Sequence, residues 1–138
     1  MLADDPLPRV KWTDWVAYRQ LRLWLSQADL CLGIFGTSEK AASVIPNKVF
    51  QIVAAGRPVL TRDSPAIREL LSPGAPCTYL VPAGDACALA EAVLAHHRLL
   101  RGDRPRPGDC HADLIGKIDS TAIGRQFVDM TRRRQIIR

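Results

Sequence analysis

Lys48 stands beside Asn47 and Pro46 at the predicted start of a helix. Proline suits the first helical position, where a missing N–H costs nothing. The exposed backbone N–H groups of Asn47 and Lys48, next to the Lys48 ammonium, form an arrangement that attracts phosphate. Gly36, Thr37 and Lys40 fall in a polar stretch after an apolar run, and these residue types suit contact with the same anion. Gln51 lies one helical turn beyond Asn47, and its amide can both donate and accept hydrogen bonds. A solvated lysine and a surface glutamine are the plain alternatives for Lys48 and Gln51. No general base or nucleophile is assignable, so the catalytic residues stay open. The cysteines show neither a C-x-x-C pair nor zinc spacing, so no metal site is expected.

The elements that must hold these residues follow from punctuation and periodicity. Residues 46–55 read as a helix ended by Gly56, the type that accepts the left-handed position past a helix. Residues 57–61 read as a strand, with Pro58 near its start, where it is tolerated. Residues 30–35 form an almost continuous apolar run, as expected of a strand buried on both faces. Residues 10–16 alternate and suggest a short strand, and residues 18–26 a helix. Residues 36–44 read as a polar loop. Ser64 and Pro65 suit the cap and first position of a short helix. Residues 77–81 read as a strand. Asp85 suits the cap of a helix to about residue 100, with Leu89, Val93, His96, His97 and Leu100 on its apolar face. Residues 101–109 read as a loop, and 121–134 as a helix with Ile123, Phe127 and Met130 inward.

Strands alternating with helices predict an α/β fold, a doubly wound parallel sheet. Ligands of such sheets bind beyond the carboxyl ends of the strands. The loop after residue 35 and the helix start at Pro46 are both expected at that edge. The chain divides into a partial Rossmann-like donor-binding domain (1–100), a linker or loop (101–119) and a C-terminal helix with a basic end (120–138).

Four stretches in one order carry a family resemblance. Ala28-Asp29-Leu30-Cys31-Leu32-Gly33-Ile34-Phe35 comes first, then Ile45-Pro46-Asn47-Lys48-Val49-Phe50-Gln51 through Gly56-Arg57-Pro58-Val59. Thr61-Arg62-Asp63-Ser64-Pro65-Ala66-Ile67-Arg68-Glu69-Leu70 follows, then Leu80-Val81-Pro82-Ala83-Gly84-Asp85 with Leu89-Ala90-Glu91-Ala92. Together they resemble the C-terminal, donor-binding domain of GT-B glycosyltransferases of the group 1, family 4-like kind, over residues 10–95. The resemblance implies that Gly36, Thr37, Lys40, Pro46, Asn47 and Lys48 bind the donor diphosphate and that Gln51 binds the ribose. Many members carry a glutamate at the Gln51 position and another at the Ser43 position. Glutamine in place of carboxylate forgoes the charge-assisted part of a hydrogen bond, about 1 kcal/mol.

The implied activity is retaining transfer of a hexose-type sugar from a nucleotide-sugar to an acceptor, in cell-surface polysaccharide or glycoconjugate synthesis, without a metal cofactor. The first two strands of that domain and the N-terminal domain have no counterpart here, so the implied partners are the nucleotide-sugar and an N-terminal GT-B half or partner chain. The isolated chain is expected to be inactive. The alternative is a non-catalytic module, a split-enzyme subunit or a remnant, that binds a nucleotide-sugar or a partner. A GT-B sugar-nucleotide epimerase shares the fold, but the acid/base pairs it needs are not visible.

Composition narrows the rest. The 138 residues suit one domain, with 47% hydrophobic and 24% charged residues. No apolar run approaches membrane-spanning length, and the acidic residues 1–6 are not a signal peptide. The chain is therefore expected in the cytoplasm. Of the net charge of +5, most lies beyond residue 100, with nine basic against five acidic residues. That basic end is read as a solvated helix terminus, with peripheral contact at the inner membrane face as the further expectation. No nucleic-acid signature accompanies it. Cys31, Cys77, Cys87 and Cys110 are expected as free thiols. Trp12, Trp15 and Trp24 are expected in the core, and His96 and His97 in structural roles.

Overall fold

The computed structural model describes residues 8–102 and 110–135, with the side chains at 127, 131 and 133–135 outside the described set. Its element order is α1 (Tyr18–Gln27), β1 (Cys31–Leu32), α2 (Glu39–Ala42), α3 (Asn47–Ala54), β2 (Val59–Arg62), α4 (Pro65–Leu70), β3 (Thr78–Val81), α5 (Ala86–Leu99), α6 (Ala112–Ile118) and α7 (Ser120–Gln135). The strands form a parallel sheet in the order β1-β2-β3, pairing Cys31 with Val59 and Val59 with Thr78. Helices flank the sheet, so this is a partial Rossmann-like α/β domain.

The α3–β2 unit forms as its punctuation predicts. Gly56 has φ +59°. Its N–H donates to the Val53 carbonyl at 2.9 Å and that of Arg57 to the Ile52 carbonyl at 3.2 Å, the two bonds of a Schellman end. Pro46 falls at the N-cap, one position before the expected one. The chain then enters β2, buried at every position. Val49, Ile52 and Val53 of α3 pack with Cys31, Val59, Ile67 and Leu71 as the core. Each large aliphatic side chain fully buried there contributes about 1.5–3 kcal/mol.

Several expectations are corrected. Residues 10–16 form no strand, because β1 is the sheet edge and nothing among the described residues pairs outside it. β1 is short, and Leu32 is 51% exposed where burial on both faces was expected. Trp12, Trp15 and Trp24 lie at the surface, with Trp15 77% exposed, since no element among the described residues covers that side. The loop 36–44 contains α2, started by Ser38, whose side chain accepts from the Ala41 N–H at 3.2 Å. Within 101–119, residues 112–118 are helical. The loop predicted at 101–109 lies mostly outside the described residues, as do residues 1–6. On α5 the inward face is Leu89, Ala92 and His96, while Val93 is exposed. On α7, Ile123 and Met130 are exposed, and Phe127 falls outside the described side chains.

Cys77 and Cys110 are joined in a disulfide, with Cα atoms 5.8 Å apart, while Cys31 and Cys87 are free. Spacing could not signal that pair, because the fold brings together residues 33 positions apart. The histidine reading is met at His96. Its Nε2 lies 2.9 Å from the Asp29 carbonyl, which can only accept, so in the singly protonated ring Nδ1 accepts from the Tyr79 hydroxyl at 3.0 Å. Among the described residues, no helix is long and apolar enough to cross a membrane.

Candidate functional site

A right-handed crossover joins two parallel strands by sending its helix back antiparallel to them. The start of α3 therefore sits at the carboxyl edge of the sheet. Lys48 fixes that placement, because its Nζ donates to the Gly33 carbonyl just past β1 at 2.8 Å. One ammonium proton is used in this way and two remain to donate.

The helices that follow strands at this edge differ at their first turns. Ser38 caps α2, Ser64 caps α4 by accepting from the Ile67 N–H at 3.3 Å, and Asp85 caps α5 by accepting from the Ala88 N–H at 2.9 Å. At α3, Pro46 supplies no side-chain cap. The Val49 N–H is bonded to the Pro46 carbonyl, and the Asn47 and Lys48 N–H groups have no hydrogen-bond partner among the described residues, as holds also for the first two N–H groups of α2 and α5. What sets α3 apart is the missing side-chain cap and the adjoining Lys48 ammonium. Unused donors at a positive helix end are suited to an anion.

The loop after β1 runs toward the β3 side, where Thr37 lies against Gly84 and Arg62 reaches the Gly36 and Ser38 carbonyls. Gly36 and Thr37 lie in the loop after β1, and Lys40 is exposed within α2. Gln51 turns toward α1, where it lines a cavity of about 520 Å³ together with Tyr18, Arg19, Arg22 and Leu25. None of the six diphosphate candidates lines that cavity. Gln51 therefore faces α1, while Lys48 reaches Gly33 past β1.

Sequence reasoning missed the residues that hold the loop. The Thr61 hydroxyl accepts from the Ile34 N–H and donates to the Ile34 carbonyl, each at 3.2 Å. Gly33 packs so closely on Thr61 that a Cβ there would lie 2.4 Å from its Oγ1. The buried Arg62 donates to the Gly36 carbonyl and, at 3.5 Å, to that of Ser38. Gly33 in the first resemblance stretch and Thr61 in the third were the available signal, but contact between them is a property of the folded sheet. Asp63, next along, is drawn below the usual carboxylate range chiefly by its hydrogen bond to the Arg68 guanidinium, which donates to it at 2.7 Å.

A family model described as glycosyl transferases group 1 matches residues 2–98. The chain belongs to that family. A curated relative, the phosphatidyl-myo-inositol mannosyltransferase of Mycobacterium leprae (strain TN), is 38% identical over 80 residues. That match takes in 56% of this chain and 20% of the mycobacterial protein, so the chain spans about a fifth of its relative's length. No solved structure matches the chain. Group 1 membership places the uncapped α3, its lysine and the loop after β1 inside the part of the chain that the family model covers. Among the described residues, no cluster of three or more His, Cys, Asp or Glu side chains could hold a metal ion.

Proposed function

We propose that this glycosyltransferase chain provides the donor side of sugar transfer, binding the diphosphate of a nucleotide-sugar at the start of α3. The observation that carries the reading is the Lys48 ammonium, fastened to the Gly33 carbonyl beside the open, uncapped start of α3. Gly36, Thr37 and Lys40 form the facing side, with Pro46 leaving the helix end open. Gln51 takes the ribose hydroxyls, and the α1–α3 cavity beside it receives what lies beyond the ribose. The reaction is transfer of a hexose-type sugar with retention, to an acceptor in polysaccharide or glycoconjugate synthesis. Charge develops on the departing diphosphate, and preorganised N–H groups with Lys48 stabilise it there.

The acceptor side and the catalytic base come, in this reading, from a complementary GT-B half, in the same polypeptide or a partner chain. The surface position of Trp12, Trp15 and Leu32 favours such a partner over an autonomous enzyme. The 138-residue chain alone is then expected to bind donor and not to turn it over; robust transfer by the purified chain would oppose this. Calorimetric titration with UDP, GDP and their sugars, for wild type and Lys48→Ala/Gln51→Ala, tests the site. Saturable binding that the double variant loses supports it. Unchanged binding in the variant moves the donor elsewhere.

A further inference from the structure

The fold buries two arginines, Arg57 before β2 and Arg62 at its end. Arg62 is 7% exposed, donates through Nη1 to the Gly36 and Ser38 carbonyls, and keeps its Nε buried without a partner. Neither partner is a carboxylate. The neighbouring Asp63 is turned to Arg68, which holds both of its oxygens, at 2.7 and 2.5 Å. The Arg62 charge therefore has no counter-ion within the described residues. A buried cation left without an anion is costly. Arg57 shares that state at the other edge, so it is the position of Arg62 beside the loop that makes its charge available to a ligand.

The loop Arg62 grips is the one that contains Gly36 and Thr37. Thr61 pins Ile34 from the same strand, so consecutive β2 residues clamp the loop along its length. Lys48 fastens its beginning at Gly33. We infer that Arg62 is a positioning residue for a nucleoside diphosphate: it holds the 36–38 loop at the sheet edge where α3 also starts, and leaves an uncompensated positive charge beneath that loop for the diphosphate to balance. This rests on the donor reading given above. Arg57 is the matched control, because it donates to the Ala28 carbonyl ahead of β1, at the amino edge of the sheet.

The test is calorimetric titration of the 138-residue chain and its Arg62→Met, Arg62→Lys and Arg57→Met variants with UDP and GDP, and with uridine and guanosine. Arg62→Met is expected to weaken the diphosphates about tenfold or more, the scale of one charge-assisted contact, while nucleoside affinity stays within about twofold. Arg62→Lys recovers part of the loss by restoring the charge, and Arg57→Met leaves the ratio of diphosphate to nucleoside affinity unchanged. Wild-type diphosphate affinity in both Arg62 variants overturns the inference. So does an equal loss of diphosphate and nucleoside. A folded wild type that binds neither UDP nor GDP overturns the donor reading and this inference with it. Should circular dichroism show that Arg62→Met does not fold, Arg62→Lys decides alone: weakened diphosphate binding with retained nucleoside affinity supports the inference, and wild-type affinity overturns it.

Discussion

α1 and α3 are both amphipathic helices without a side-chain cap, and they have different fates. α3 lies between two paired strands and buries Val49, Ile52 and Val53. α1 precedes the sheet edge and buries none of its residues, although Leu25 touches the core and Leu23 and Trp24 are as apolar as anything in α3. An apolar stripe is buried only where a sheet presents a face to cover it. In the proposed donor site the same asymmetry matters, since a helix with a fixed body holds its open end rigidly.

Deleting core contacts should widen that contrast most. Ile52→Ala or Leu60→Ala is expected to cost about 2–5 kcal/mol in chemical denaturation. Trp15→Ala is expected to stay within about 0.5 kcal/mol, the range of ordinary surface changes. Similar losses at Ile52 and Trp15 would mean that α1 and the segment before it are covered by something in solution.

Next in size is the Cys77–Cys110 bridge, which ties the entry of β3 to the start of α6 across 33 residues. Reduction by dithiothreitol, or Cys110→Ser, is expected to lower stability by about 2–4 kcal/mol. An unchanged denaturation midpoint would show that the thiols are free. Gly33→Ala should then cost about 1–3 kcal/mol through its clash with Thr61, as overpacking does. The equivalent Gly116→Ala in α6 meets open space and should be neutral or stabilising.

The smallest effect is a pH dependence. His111 is buried, its Nε2 donating to the Arg57 carbonyl at 3.1 Å, and burial holds it below its ordinary value of 6.5. The unfolded chain then binds the proton more readily than the folded one. Its contribution is fully present above about pH 6.5 and is lost as the pH falls toward the depressed folded value. His111→Gln should flatten that part of the stability curve. A curve still falling in the variant would assign the effect to another group.

What was legible in the sequence was local. Gly56, Ser64 with Pro65, and Asp85 each declare an end of a helix through their own backbone chemistry, and the structure has them in those roles. The start of α3 was legible for the same reason, to within one residue. The Arg62 clamp, the Gly33–Thr61 contact and the disulfide were not, because each depends on which strands become neighbours. The tryptophans misled for a related reason: side-chain type records a capacity for burial, while neighbours decide whether it is used. The alternating pattern at 10–16 failed likewise, since a strand exists only through its ladder.

The most direct measurement is amide NMR of the 15N-labelled chain during addition of UDP or GDP. The account predicts that the largest shifts fall on the Asn47 and Lys48 amides and on the 36–38 loop, and that Lys48→Ala abolishes them. Saturable binding whose largest shifts lie elsewhere, with Asn47 and Lys48 unmoved, would contradict it.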